Sequence, residues 1–425
     1  MGFANRINNF AGQPFIFIAA FTAQKQIIII LPPYFPPQYR KVMKNNLVLL
    51  ILLVFSAVFA QKKKREEFYS SILGETRNIT IITPPYYKDT GEKKYPLVIV
   101  LDGEYLLEPF NGIFAYTAYW DELPEVILVG INQNKDNMRE SVTEYEEQTG
   151  LPYGKGAQFF EFITQELVPY IEEGYSVGPM KVIAGHNITA GFINAFLLKE
   201  KPFFNGYINL SPDFQPNMED FVPAALQSLK TPIYYYVAVA DGDAEDIRNK
   251  AKIFNTNMAA ASNPEVKYRF DEFKSTTHYA LAACAIPAAI YHVFSFYQPI
   301  SSQEFEKIAS LPSGQAKYLK DKYEAMKKIL GYDVTIRLND FKAVEVAILK
   351  KGNFEELKEL SSLAKKNYPK TIFGEYYTGL FYEKTGDKKK ALKTYANSYS
   401  LNSIAEYTKD FMIQKAESVQ STEGN

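Results

Sequence analysis

From about residue 77 to 300 the chain alternates short runs of consecutive apolar residues with stretches that carry apolar positions at helical spacing. The runs are RNITIITP (77–84), YPLVIVLDG (95–103), VILVGIN (126–132), MKVIAGH (180–186), GYINLSP (206–212) and IYYYVAVAD (233–241). Apolar residues at successive positions, rather than at every second one, predict strands buried on both faces. Between them FFEFITQELVPYIEE, AGFINAFLLKE, DIRNKAKIFNTNMAAA and IPAAIYHVFSFY have the spacing of amphipathic helices. Strand and helix in alternation predict an α/β domain, a mostly parallel sheet flanked by helices, over residues 61–310.

Beyond about 300 the strand pattern stops and Lys/Glu/Tyr/Leu-rich helical segments follow, so a boundary is expected near SLPSGQ (310–315) and a small all-α module over 316–413. Within it KGNFEELKELSSLAKKNYP (351–369) and TGDKKKALKTYANSYSLNS (385–403) superpose at a spacing of 34 residues, Gly352 on Gly386 and Asn353 on Asp387. With Gly379, Tyr382, Ala391 and Tyr395, that period resembles tetratricopeptide repeats. The resemblance implies either a helical cap over apolar surface or a seat for a protein partner. The polar stretch 414–425 is expected to be a disordered tail.

The N-terminal region reads differently. Residues 1–42 mix an isoleucine run with prolines and hold no persistent period, as a leader translated from a misassigned start codon would. Residues 43–60 then read as a signal peptide: Lys44, the apolar LVLLILLVF, and Val58-Phe59-Ala60 at the cleavage site. The apolar stretch Leu47 to Ala60 is shorter than the ~20 residues of a spanning helix. The expectation is a bacterial periplasmic or secreted protein starting at Gln61, with no stable membrane span after cleavage.

Charge adds an exclusion. Lys+Arg 47 against Asp+Glu 48 in 425 residues gives a net charge of −1, so no nucleic-acid partner is expected. The single cysteine, Cys284, lies in the apolar run LAACAIPAAI and is expected in the core, with no disulfide, no metal site and no cofactor.

The chemistry is concentrated in MKVIAGHNITAGFINAFLL (180–198), a strand, a tight turn and a helix. The order Gly185-His186-Asn187-Ile188-Thr189 is a variant of the G-x-S-x-G elbow. Together with TQELVPYIEEGY (164–175), YPLVIVLDGE (95–104), INLSPDF (208–214) and NKDNMRES (134–141), it resembles the enterochelin-esterase-like putative esterases, which have an α/β-hydrolase fold. The resemblance covers about 75–300. It implies a serine nucleophile at the elbow, then an acid, then a histidine. Asn187 stands at the nucleophile position, Thr189 at the second glycine, and His278, just before the last helix of the domain, at the histidine position. The acid is expected among Asp241, Asp243, Glu245 and Asp246, with Asp243 preferred. His186 and His292 are assigned to packing or surface roles. Ser211 is read as structural, and Thr189 as too far past the apex to attack. The backbone N–H groups of Gly103 or Glu104 and of Ile188 would form the oxyanion site and contact substrate.

An amide offers no hydroxyl that a histidine could turn into a nucleophile. The leading expectation is therefore an exported pseudoenzyme, its cleft binding a small ester-like ligand or a partner. Two alternatives stay open: a carboxylic ester hydrolase using non-standard residues, and an assembly factor acting through the helical repeats.

Overall fold

The computed structural model describes residues 18–21, 27–30 and 63–421, apart from 86, 90, 92, 134–137 and 200. It divides into two compact units, Met1–Lys62 and Lys63–Asn425. In the first, strands Ile18–Phe21 and Ile27–Ile30 pair antiparallel, within the stretch expected to lack regular structure. β-Branched isoleucine favours such pairing. The signal-peptide reading of 43–60 falls outside the described residues.

The second unit is built on an eight-stranded sheet. In chain order its strands are β1 Lys63–Ser70, β2 Glu75–Ile82, β3 Tyr95–Val100, β4 Ile127–Ile131, β5 Val177–His186, β6 Gly206–Leu210, β7 Ile233–Gly242 and β8 Val266–Thr277. Their spatial order is β1-β2-β4-β3-β5-β6-β7-β8. The β1–β2 and β2–β4 pairs are antiparallel and every other pair is parallel. All six runs expected from the sequence are strands, and β3, β4 and β6 are buried at every position. The two strands the apolar pattern does not reveal, β1 (KKREEFYS) and β8 (VKYRFDEFKSTT), are the edges. There one side of the strand meets water, so the apolar run that marks a doubly covered strand is lost.

Helices cover both faces. One cluster packs Phe159, Phe162, Ile171, Phe192, Phe196 and Phe254 against Ile99, Ile183 and Tyr235. The other packs helices Gly103–Tyr119 and His278–Val293 through Leu106, Phe110, Leu281, Ala285 and Ile286 against Val98, Val182 and Tyr236. Cys284 was expected in this core and is instead exposed. The period of helix His278–Val293 turns Leu281, Ala282, Ala285 and Ile286 to the sheet and leaves position 284 outward.

The helical region begins earlier than 316. Phe294 belongs to the sheet's core and Tyr297 to a separate helical core that also holds Ile308, Leu319, Phe341 and Tyr377, so helix Ser302–Ser310 is part of the helical side. Helices Leu338–Lys351 and Ile372–Lys384 begin 34 residues apart, each followed by a second helix, Glu356–Asn367 and Lys388–Asn397. The expected tail is also ordered through Ser421: helix Lys409–Ser421 buries Met412 and Val419, and Lys415 pairs with Glu383 at 2.7 Å. Phe411 and Ala416, partly buried against the same core, complete the apolar stripe that docks an otherwise polar helix.

The module sits at the ends of the strands remote from their carboxyl termini. A Cβ on Gly178, at the start of β5, would lie 2.5 Å from the Leu330 carbonyl oxygen. Asp121, just past helix Gly103–Tyr119, accepts from the Tyr297 hydroxyl at 2.9 Å and from Arg337 Nε at 3.2 Å. Eight residues of β5, Pro179 to His186, lie between this contact and the elbow, roughly 30 Å of strand. Among the described residues no helix is long and apolar enough to cross a membrane.

Candidate active site

At the carboxyl end of β5 the chain turns sharply at Asn187, with φ 60° and ψ −119°, before helix Ile188–Phe192. A non-glycine residue at positive φ costs roughly 1–3 kcal/mol and persists only when its surroundings hold it. Here they do. The Asn187 N–H donates to Leu210 O at 2.9 Å, and its carbonyl accepts from Gly191 N at 3.0 Å and Asp213 N at 3.1 Å. Gly185 is required, because a Cβ there would stand 2.7 Å from the Thr189 carbonyl carbon; one on Gly191 would stand 1.9 Å from Asp213 O. All of these constraints act on backbone, so the turn is indifferent to the side chain at its apex.

The second part of the site comes from β7 and β8. Asp241 accepts the N–H groups of Ser275 (2.6 Å) and Thr276 (2.9 Å), pinning the irregular end of β8, where Ser275 has φ 53°. Thr277 caps the next helix by accepting from Ala280 N, and His278 is that helix's first residue. Its Nδ1 lies 2.7 Å from Asp243 Oδ1. Asp243 is buried, and it also accepts from the Ser211 hydroxyl at 2.8 Å and from Ala240 N at 2.8 Å. Burial pushes the Asp243 pKa up, but the hydrogen bonds from His278, Ala240 and Ser211 outweigh it and hold the group below the ordinary carboxylate range. An ionised Asp243 accepts a hydrogen bond from Nδ1–H, so Nε2 is the ring nitrogen turned to proton transfer. Of the four acids considered, Asp243 alone reaches His278; Glu245 and Asp246 lie in the first turn of helix Glu245–Ala260. Ser211 is more than a spacer, since it orients the acid.

The third part lies beneath the elbow. The His186 ring packs against that of His278, with centroids 4.5 Å apart and planes 32° apart, and its Nδ1 is 3.0 Å from the Tyr105 hydroxyl. Burial, reinforced by the nearby charges of His278 and Arg139, lowers the His186 pKa to about 4, so the ring is neutral near pH 7. Asp102, fully buried and left-handed at φ 54°, receives both Nε (2.7 Å) and Nη2 (3.2 Å) of Arg139. Arg139 Nη2 also donates to His186 O at 2.6 Å. The Thr189 hydroxyl donates to Asp102 Oδ2 at 2.6 Å and accepts the His186 N–H at 2.9 Å. Thr189, expected as a departure from the elbow's second glycine, is thereby the link between the elbow and the Asp102–Gly103 turn. That link brings the two turns carrying Gly103, Glu104 and Ile188 together. Gly103 and Ile188 open their helices, where a backbone N–H has no acceptor within the helix.

Reading the sequence singled out neither Asp102 nor Tyr105, and Arg139 entered only as part of a loop resemblance. The signal was the Asp-Gly turn after β3, whose aspartate has no turn-forming need to be buried. His292 accepts a structural role, its Nε2 lying 2.8 Å from Lys267 O. Tyr279 is 81% exposed with its ring 5.1 Å from that of His278, so it stands at the mouth of the cleft. Among the described residues no group of three or more His, Cys, Asp or Glu is placed to hold a metal ion.

Comparison with known proteins agrees with this geometry. The "Putative esterase" family model matches residues 70–198, from the end of β1 through the elbow. A protein from Capnocytophaga ochracea, described as uncharacterised, is 32% identical over 85% of this chain and 100% of its own, with a TM-score of 0.75. An IroE-like serine hydrolase from Shewanella oneidensis is 20% identical over 72% of this chain and 99% of its own, TM-score 0.52, which shows a common fold. No curated protein sequence matches significantly. The elbow, the order of the strands and these matches together place the chain in the putative esterase family, with an α/β-hydrolase-type sheet and an added C-terminal helical region.

Proposed function

We propose that this is an exported pseudo-esterase, whose cleft binds a small ester-like ligand or its acid without turning it over. One observation carries the reading. The apex of the elbow, where the family resemblance puts a serine, holds the Asn187 amide, and the hydroxyls of Thr189 and Ser211 are bound to carboxylates, Thr189 to Asp102 and Ser211 to Asp243. No alkoxide-like nucleophile can form from an amide. Donors at Gly103 or Glu104 and Ile188 are backbone groups, so a seat for a carbonyl or carboxylate survives the substitution. The test is hydrolysis of short p-nitrophenyl esters by the wild type against His278→Ala. Equal rates are expected, and a wild-type rate well above the variant overturns the reading.

A second reading has its own support. The His278–Asp243 pair is intact at 2.7 Å, and a general base can activate water directly without a covalent step. Ester turnover that depends on His278 and Asp243, with no labelling by a fluorophosphonate, would favour it. Export rests on Leu47–Ala60 and the Val58-Phe59-Ala60 site; N-terminal sequencing that found Gln61 first would support it, and retention of residues 1–60 would refute it. We further assign the helical region a partner-binding role, because it is seated at the end of the sheet away from the cleft. Co-purification of a protein that persists after deletion of 316–425 would remove this assignment.

A further inference from the structure

β8 is the last strand of the sheet and is 12 residues long, unusual for an edge left unpaired. Its pairing with β7 fixes which backbone groups face outward. Ile233 N donates to Glu265 O at 3.0 Å, and Val266 stands opposite Ile233. In a parallel ladder of that phase the odd-numbered residues of β8 bond to β7. Tyr268, Phe270 and Glu272 therefore turn both N–H and C=O away from the sheet. Val266, the next even residue back, bonds its N–H to Asn263 O instead.

Edges exposed in this way are usually protected by charge, and β8 carries Lys267, Arg269, Asp271, Glu272 and Lys274. Here the order of signs is self-complementary. We propose that β8 pairs antiparallel with β8 of a second copy of this chain about a two-fold axis through Phe270, joining two sheets into one. Among centres from Lys267 to Glu272 only that one satisfies the charges; a centre at Phe273, which would oppose Glu272 to Lys274, falls where the ladder becomes irregular between Phe273 and Thr277. A two-fold at Tyr268 opposes Lys267 to Arg269. One at Arg269 opposes Arg269 to itself, one at Asp271 opposes Asp271 to itself, and one at Glu272 does the same with Glu272. Centred on Phe270, Arg269 faces Asp271 twice, in the pair type whose side chains approach most closely. Arg269 and Asp271 already pair at 2.9 Å within each strand, so the interface closes a ring of four alternating charges. On the other face the two Phe270 rings meet, continuous with the partly buried Tyr268 and Phe270 packed against the sheet's core. A two-fold contact of this kind is closed and leaves no free β8 edge for further growth.

The mass of the purified full-length protein in solution, by light scattering after gel filtration, tests this. The wild type is expected at two chains. Arg269→Asp and Asp271→Arg, each confirmed folded by circular dichroism, are expected at one chain, and the double exchange Arg269→Asp/Asp271→Arg is expected to restore two. A second measurement reads the register. In a Cys284→Ser background, Phe270→Cys places two sulfurs on residues whose Cα atoms stand about 5.5 Å apart, within disulfide range. It should oxidise to a linked dimer, whereas Glu272→Cys, offset along the strand from its copy, should not. A wild-type mass of one chain, a dimer unaffected by Arg269→Asp, or linkage at 272 in preference to 270 overturns the proposal.

Discussion

The two sides of the cleft are built from the same sheet but held in different ways. On the β7–β8 side the arrangement depends on side chains: Asp243 is ionised by three donors, and one of them is His278. On the β5 side it depends on main chain: Leu210 O, Gly191 N and Asp213 N grip Asn187 regardless of what the residue carries. A turn held by its backbone can lose the chemistry of its apex without losing its shape. A proton-relay pair cannot, since removing either partner removes the pair. On the proposed reading, the His278–Asp243 pair stands intact beside an elbow whose apex carries the Asn187 amide.

The largest effect should come from cutting the connection between the elbow side and the Asp102 turn. Asp102→Ala leaves the Arg139 charge and the Thr189 hydroxyl without their partner in a buried place, and a loss of about 3–5 kcal/mol is expected in urea unfolding. A loss under about 1 kcal/mol would show that the elbow holds its form by backbone alone.

Next is pH. His186 has a folded pKa of about 4 against an ordinary 6.5, so between these values the unfolded chain binds a proton that the folded chain refuses. Stability from this group is full above pH 6.5 and falls as pH drops toward 4, by roughly 3 kcal/mol at about 1.4 kcal/mol per unit. His292, also lowered by burial, adds to the slope in the same sense. His186→Gln should flatten the dependence measured by denaturation at stepped pH. An unchanged slope would move its origin elsewhere.

The comparison is sharpened most directly by Asn187→Ser. If the β7–β8 side is competent, the new hydroxyl should react with a fluorophosphonate and raise p-nitrophenyl ester hydrolysis by about ten- to hundredfold, short of a full enzyme because small misalignments are costly. Asp243→Asn in that background should remove the gain. Absence of labelling in a folded variant would mean that the elbow side has drifted in position as well as in chemistry. The smallest effect is expected from Tyr105→Phe, which strips His186 Nδ1 of its buried partner and should cost about 1–2 kcal/mol, read by thermal unfolding.

How much was legible in advance follows burial. The doubly covered strands announce themselves as apolar runs, and β3, β4 and β6 fall within the stretches expected. His278 and the elbow were found through the resemblance to the putative esterases, whose motif order places them after a strand and before a helix. Asp243 is preferred on sequence, but nothing local separates it from Asp241, Glu245 and Asp246, which lie within the same six residues; the contact with His278 belongs to the fold. The Asp102, Arg139 and Thr189 network spans residues far apart in sequence, and no short window contains it.

The sequence by itself determined which segments enter the interior and where the chain must turn, because apolar period and glycine placement act over a few residues. It also determined that the apex of the elbow is an amide. Tertiary structure alone decided the edges β1 and β8, the exposure of Cys284, the network joining Asp102, Arg139 and Thr189, and the seat of the helical region at the far end of the sheet. Each of these depends on which surface is left over once the core has formed, and that is a property of the packed whole rather than of any one stretch of chain.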